Sequence, residues 1–412
     1  MIINIKNYNK EFLAILLMSF IFIINLSIEY SKYLEFIDEE IYETKVEVLN
    51  IYKKTTKQIL RLKTKNFDFF TDLEKDENIQ KSDLLNITII SQNITFLDYL
   101  KGFYTQTIYF DYLEKTPKFS DKIAKKIESN HQNEMINELF QALFLATPIS
   151  QELRSICTNY GISHLIALSG FHLVVLSFVI YWFLYYPYSY FHQKYFLYRN
   201  KRFDLLLISI SLLFCYLILT GVVASLLRAF VMFVLTIFLL RSNIKIVSFM
   251  NLFFTFLIVI SLFPKYLFSL GFWFSIMAVF YIFLFIKYFS TLNKYLQIIF
   301  FNIWMFLIFN PIVHFYFPQT TYEQFLSIII TIFFTFFYLF EIFAHIFDFA
   351  IYFDGFIKSF LEYKMYVYEV FTPFYFFVIY LTFSLASIFY KKAFIGLNIM
   401  MIIFNFYLFF KV

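Results

Sequence analysis

The stretch Gly161–Leu173, GISHLIALSGFHL, holds two glycines and two histidines in a chain that has only 7 Gly and 6 His altogether. It opens an apolar run that continues past Tyr181 and Trp182, so its polar groups stand at the edge of a segment too apolar for water. Outward from it the pattern repeats, with apolar runs of the ~20 residues that a helix needs to cross a hydrocarbon core of about 30 Å. Of the 412 residues 60% are hydrophobic, 24% aromatic and only 15% charged, and mean hydropathy is +0.68, far above a soluble chain of this length. Backbone groups in lipid are satisfied only within helices or closed barrels, so the expected fold is mainly α, a polytopic membrane protein.

Spans are expected near residues 164–186, 205–220, 222–240, 247–263, 267–288, 297–316, 325–346, 373–390 and 393–410. A further apolar run, Phe12–Ile28, follows Lys6 and Lys10 like a signal peptide but has no small-residue cleavage site after it. It is expected to stay as an anchor over residues 1–28, which brings the total to about ten spans. Lys194, Arg199, Lys201 and Arg202 in one short loop and Arg241 and Lys245 in another mark cytoplasmic ends, whereas PQTTYEQ (Pro318–Gln324) carries no cation. Lys391 and Lys392 fall on the wrong side in that count. Either Phe347–Phe371 hides a re-entrant or interfacial helix, or the last two spans form a hairpin that does not cross fully.

Between the anchor and the first late span lies a polar region, expected outside the cell membrane. VEVLNI (46–51) and ILRLKT (59–64) alternate apolar and polar residues about a polar turn, the pattern of a β-hairpin, and NITIIS (86–91) and FYTQTIYF (103–110) read as further strands. Four or five short strands suit a small β-barrel, OB-like, over residues 29–113. Residues 114–160 space apolar positions by three and four among charges and read as amphipathic interfacial helices, leaving 161–412 as the transmembrane domain. Cys157 and Cys215 have no setting for a disulfide or thiolate metal site. No cofactor or metal is expected, since His164 and His172, about 12 Å apart on a continuous helix, have no carboxylate nearby to complete a site.

Polar groups sunk in a span are expensive and usually face a bundle interior or a water path. Ser169, Gly170 and His172 in LSGFH meet that description, against the simpler reading of a helix-end imidazole bonded to backbone. Arg228 in LTGVVASLLRAFVMFVL (Leu219–Leu235) is the stronger case, expected about two turns into a helix that begins after Gly221. Gly271 and Ser275 form a small-xxx-small pair whose first reading is helix packing.

These segments resemble a family. GISHLIALSGFHL is similar to the G-L-S-H-L-L-A-I-S-G-L-H block of ComEC-type competence proteins, YLILTGVVASLLRA (Tyr216–Ala229) to their second block, and NLFFTFLIVISLFPKYLFSLGFWFSIMAV (Asn251–Val279) to their third. Three blocks in order over about 120 residues make the resemblance specific. It implies an inner-membrane channel that takes up single-stranded DNA during natural transformation, preceded by an extracytoplasmic OB-fold. It also implies His164, Ser169, His172, Thr220, Ser225, Arg228 and Ser275 as channel residues, and Gly161, Gly170, Gly221 and Gly271 as glycines that break or cross helices. Partners expected with it are single-stranded DNA, the lipid bilayer, a DNA receptor outside and a cytoplasmic motor or single-strand-binding proteins, with a homo-oligomer left open. Two departures stand out. The chain has neither the length nor an H-x-H-x-D-H cluster for the metallo-β-lactamase-like domain that ends many members, and Trp273 replaces a commonly polar residue in the third block.

In the outer region no acidic residue occurs from Val48 to Phe67, while Lys53, Lys54, Lys57, Arg61, Lys63 and Lys65 crowd the hairpin as a DNA-binding patch. Phe69, Phe70, Phe103, Tyr104, Tyr109 and Phe110 are there to stack bases, or else to fill a core. No covalent chemistry is implied, so an enzyme is not expected. The rival readings are a ligase-type membrane enzyme acting on a lipid-linked substrate, a solute transporter, and a shortened remnant that conducts nothing.

Overall fold

The architecture is that of a computed structural model, which describes residues 5–53, 57–74, 79–114, 118–195, 197–241 and 248–410. Helix α1 (Ile5–Ile37) runs unbroken for 33 residues, nine past the end expected for the anchor. Its last turns are part of a core: Phe36 packs against Tyr42, Phe67, Tyr99 and Phe103. A sheet follows, built from β1 (Ile41–Lys53), β2 (Lys57–Lys63), β3 (Asp68–Glu74), β4 (Leu84–Ile90), β5 (Phe103–Tyr104) and β6 (Thr107–Leu113), with α2 (Phe96–Lys101) before β5. Alternation drives it: β2 buries Gln58, Leu60 and Leu62, and β4 buries Leu85, Ile87 and Ile89. The expected hairpin is β1 on β2, with Val48 opposite Leu62 and Tyr52 opposite Ile59.

The strand order is β5-β3-β2-β1-β4-β6. Thus β5 and β6, two residues apart in the chain, lie on opposite edges, β5 parallel to β3 and β6 antiparallel to β4. The residues between them bond to both neighbouring strands, Thr105 N–H to the Phe70 carbonyl of β3 (2.9 Å) and Ile90 N–H of β4 to the Gln106 carbonyl (3.3 Å).

After the sheet come α3 (Phe119–Asn130), α4 (Glu134–Leu145), α5 (Gln151–Asn159) and the one-turn α6 (Ser163–Ile166). The long apolar helices are α7 (Gly170–Tyr195), α8 (Lys201–Leu219), α9 (Ala224–Arg241), α10 (Phe249–Leu262), α11 (Leu270–Phe289), α12 (Lys294–Tyr316) and α13 (Leu326–Ile346). A short α14 (Asp354–Leu361) precedes α15 (Phe374–Ala386) and α16 (Lys391–Phe410). Among the described residues seven helices are long and apolar enough to cross a membrane, those of α1, α7, α8, α11, α12, α13 and α16, while Ala224–Ile237 of α9, α10 and α15 are apolar but shorter. The chain is a multi-pass membrane protein with a sheet near its N-terminus.

Two expectations change. The span expected from residue 164 starts at Gly170, because Ala167 is extended (φ −64°, ψ 118°) and separates α6 from α7. Between Phe347 and Phe371 lie a 3-10 turn (Ala350–Phe353) and α14, which buries Ile357 and Leu361 and leaves Phe356 exposed. Beyond them α15 has 13 residues, about 20 Å at 1.5 Å each, less than a full crossing.

The chain divides into two compact units, one of residues 1–126, 144–151 and 169–276, the other of 127–143, 152–168 and 277–412. In the first, α7 packs on α8 and α9, α9 on α10, and α10 on α1, around Leu173, Leu213, Leu217, Leu226, Val259 and Phe272. The sheet is tied to these helices through the 3-10 turn Pro264–Phe268: Lys265 pairs with Glu29 (2.8 Å) and donates to the Asn66 carbonyl, and Lys101 lies over the Phe268 ring. In the second, α12, α15 and α16 are joined by polar side chains, Asn310 to Asn405 (2.6 Å), Trp304 to Asn398 (2.8 Å) and the Tyr380 hydroxyl to the Ile308 carbonyl (2.8 Å), the interhelical bonding that replaces hydrophobic drive in lipid.

Candidate functional site

The end of the first sequence block, from Ser169 on, meets the second and third blocks in the first unit at the ends of α7, α8 and α9. The turn from α8 to α9 comes first. Helix α8 ends in a Schellman motif: Val222 N–H bonds the Leu217 carbonyl (3.0 Å) and Gly221 N–H the Ile218 carbonyl (3.1 Å), with Gly221 at φ +73°. Thr220 is the buried cap, its hydroxyl on the Leu217 carbonyl (3.1 Å). Val222 follows at φ +58°, a costly conformation for a β-branched residue, and Tyr266 from the third block holds it by donating to the Val222 carbonyl. The same motif ends α5 in the second unit, where Gly161 sits at φ +69°.

Arg228 is the fifth residue of α9, just over one turn in rather than two, and only 4% exposed. Its Nε donates to the Ser275 hydroxyl (2.7 Å) and its Nη1 reaches Met232 Sδ (3.9 Å). No carboxylate lies within ion-pair distance of it among the described residues. The N-terminus of α7 comes close, since a Cβ placed on Gly170 would stand 3.1 Å from Ala229 Cβ and 3.3 Å from Arg228 Nη2. Glycine is what permits this approach. Ser169 caps α7, and His172, three residues on and fully buried, accepts the Ser169 N–H at Nδ1 (3.2 Å), an imidazole version of the capping box. A guanidinium and the positive end of a 26-residue helix therefore share one spot with no counter-charge at ion-pair distance among the described residues.

The remaining candidates separate. His164 lies on α6 in the second unit, with Nδ1 on the Gly161 carbonyl (3.1 Å) and Nε2 near the Thr331 hydroxyl (3.4 Å). The Gly271–Ser275 pair is not a packing seam: the nearest atom to a Cβ on Gly271 is Ser269 Oγ at 3.9 Å, and Ser275 instead serves Arg228. Ser225 is half-buried in the first turn of α9. Trp273 donates its indole N–H to the Leu267 carbonyl (2.8 Å).

On the sheet, alternation sends Lys57, Arg61 and Lys63 to the outward face of β2. Two of them are already paired across to β3, Lys57 with Asp72 and Arg61 with Asp68 (3.2 Å). The Lys57 ammonium and the Tyr104 hydroxyl, both hydrogen-bonded to Asp72, hold its carboxyl below the usual carboxylate range, and the same bond pushes the Tyr104 phenol up to about 12. Lys63 and Lys65 are exposed and have no such partner among the described residues. Lys63 Nζ is 3.9 Å from where a Cβ on Gly221 would stand, so Lys63 lies at the α8–α9 turn. Lys53 ends β1, and Lys54 lies outside the described residues. Phe69 and Phe103 belong to the core, stacked at 5.8 Å, whereas Tyr104 and Tyr109 are exposed. Burial pushes the Cys157 thiol up to about 12, which leaves it inert.

Sequence reasoning missed Lys265 and Tyr266, the residues that tie the third block to the sheet and to the second block. Their signal was a cation and an aromatic directly after Pro264, where a helix must stop.

These features define a multi-pass membrane protein whose helix ends gather an isolated cation close to a sheet. A family model described as Competence protein matches residues 146–411, more than half of the chain, and the chain belongs to that family of ComEC-type competence proteins. Membership associates it with DNA uptake. No curated protein and no solved structure matches it.

Proposed function

We propose that the protein conducts single-stranded DNA across the inner membrane during natural transformation, with the sheet on the extracytoplasmic side as an OB-like strand-binding domain. The observation that carries this reading is Arg228 beside the α7 N-terminus, with no carboxylate at ion-pair distance among the described residues, on the helix that follows Gly221, itself next to the exposed Lys63. A guanidinium costs roughly 2.5–3.5 kcal/mol on insertion scales at the centre of a span and less at Arg228, just over one turn from a helix end, unless something offsets it. A passing phosphate would do so, accepting from Arg228 beside the positive end of α7. Ser275 orients the guanidinium, and Ser169, His172, Thr220 and Ser225 shape the same end of the bundle. An OB-like reading of the sheet is supported by consecutive β5 and β6 on opposite edges, and by exposed Tyr104 and Tyr109 as stacking platforms.

Arg228→Leu, expressed at wild-type level, is expected to leave labelled DNA bound outside the inner membrane and to abolish transformation. Ser275→Ala, which removes one hydrogen bond to the guanidinium, is expected to reduce transformation about fivefold, equivalent to about 1 kcal/mol. Undiminished transformation in Arg228→Leu sinks the reading. Altered surface glycan or slowed growth with normal uptake would favour the lipid-linked ligase.

A further inference from the structure

A second polar cluster lies wholly within the other unit and has no part in the DNA path proposed above. His131, between α3 and α4, places Nδ1 2.7 Å from Asp354 Oδ1 at the start of α14 and Nε2 2.9 Å from His345 Nε2 near the end of α13. His345 Nδ1 is 2.8 Å from the Glu341 carbonyl one turn back. The His131 ring stacks on Phe140 at 4.7 Å, and Phe140 meets His345 edge-on at 4.6 Å.

Hydrogen-bond polarity fixes the proton count. A backbone carbonyl only accepts, so His345 Nδ1 carries hydrogen. The contact between the two Nε2 atoms needs one hydrogen, and the contact between His131 Nδ1 and Asp354 needs another. The two imidazoles and Asp354 together therefore hold three protons, one more than two neutral rings and a carboxylate would. With that proton the trio is neutral; without it, two lone pairs face each other at 2.9 Å. A metal does not explain the spacing, because two nitrogens bound at 2.0–2.1 Å in a tetrahedral shell stand about 3.3 Å apart. Among the described residues no group of three or more ligands fit for a metal occurs.

We propose that His131, His345 and Asp354 form a buried proton-binding site, with the Glu341 carboxylate as the acceptor at its inner end. The Asp354 side chain keeps 17% of its surface exposed and His131 none, so protons enter at Asp354. Glu341 is 1% exposed, neither of its carboxylate oxygens has a hydrogen-bond partner among the described residues, and Oε2 stands 3.6 Å from His345 Nδ1. The charged groups facing the site are Asp354 from α14, Glu341 from α13 and Asp348 just beyond it. No lysine or arginine pairs with Glu341 or Asp354 among the described residues. A proton passes from the Asp354 side to His131 Nδ1 as the Nε2 proton moves to His345. His345 then releases its Nδ1 proton to Glu341 once that ring turns from the carbonyl to the carboxylate.

The test is histidine 15N NMR of the whole protein in lipid bilayers, with no metal added and then with zinc. The expected result near neutral pH is one pair of Nε2 atoms sharing a single proton, lost in both His131→Gln and His345→Gln and shifted in Asp354→Asn. As pH rises, the shared proton should leave in one step and both rings turn neutral, while a structural pair would keep its signals. Two neutral rings with no shared proton at neutral pH, or zinc displacing the proton to bind both Nε2 atoms, would overturn the proposal. The wild-type spectrum alone decides between these outcomes if the variants fail to fold.

Discussion

The usefulness of a cation to a polyanion depends on what already neutralises it. Lys57 and Arg61 were as promising as Lys63 in a segment without acids, yet β3 brings Asp72 and Asp68 against them. The pairing is visible only once register is known, because Asp72 lies opposite Ile59 and reaches its partner diagonally. Both side chains of the Lys57–Asp72 pair are reachable by water, so screening keeps its contribution small. Its sign is nonetheless fixed. The folded-state pKa of Asp72 is depressed, so the stabilisation is present above the ordinary carboxyl value of 3.8 and is lost as pH falls below it. Asp72→Asn is therefore expected to remove that acid-side loss from thermal melts. It should also free Lys57 for phosphate and steepen the salt dependence of oligonucleotide binding by about 0.7 in slope, one single-strand contact. An unchanged slope would mean that this face of β2 does not meet DNA.

At the scale of elements, the glycines of the blocks are not equivalent. Gly221 needs its positive φ, so Gly221→Ala is expected to cost roughly 1–2 kcal/mol in a melt of the solubilised protein, with no steric clash since the site is open toward Lys63. Gly170→Ala acts by contact instead. Its Cβ would press on Ala229 and on the Arg228 guanidinium, so uptake should fall further than stability does. Gly271→Ala meets only Ser269 Oγ at 3.9 Å and should be silent in both measurements. The hairpin and nearly all the apolar helices were legible because periodicity and length carry them. The break before α7 was not, since Ala167 and Leu168 are as apolar as any helix interior and only the Ser169–His172 cap reveals a fresh start. Nor was the pairing of His131 with His345, whose 214-residue separation leaves no local pattern to read.

For the whole molecule the deciding matter is whether the sheet and the helix ends act on one strand. The 3-10 turn Pro264–Phe268 links them in the first unit: Lys265 donates to the Asn66 carbonyl and Lys101 lies over Phe268 on the sheet side, while Tyr266 donates to Val222 at the α8–α9 turn. These contacts set Lys63 above the turn that leads into α9, so a strand engaged by the hairpin is already at the approach to Arg228. Counterion release makes this measurable, because each phosphate contact on a single strand contributes about 0.7 to the slope of log affinity against log salt. In the full-length protein with an oligothymidylate probe, Lys63→Gln with Lys65→Gln is expected to lower that slope by about 1.4 and weaken binding most at low salt. Lys57→Gln, whose charge is already spent on Asp72, should change it little. If both variants lower the slope equally, the strand tracks the whole sheet face rather than its lower edge. The hairpin would then serve capture alone, without delivering the strand to the helix ends.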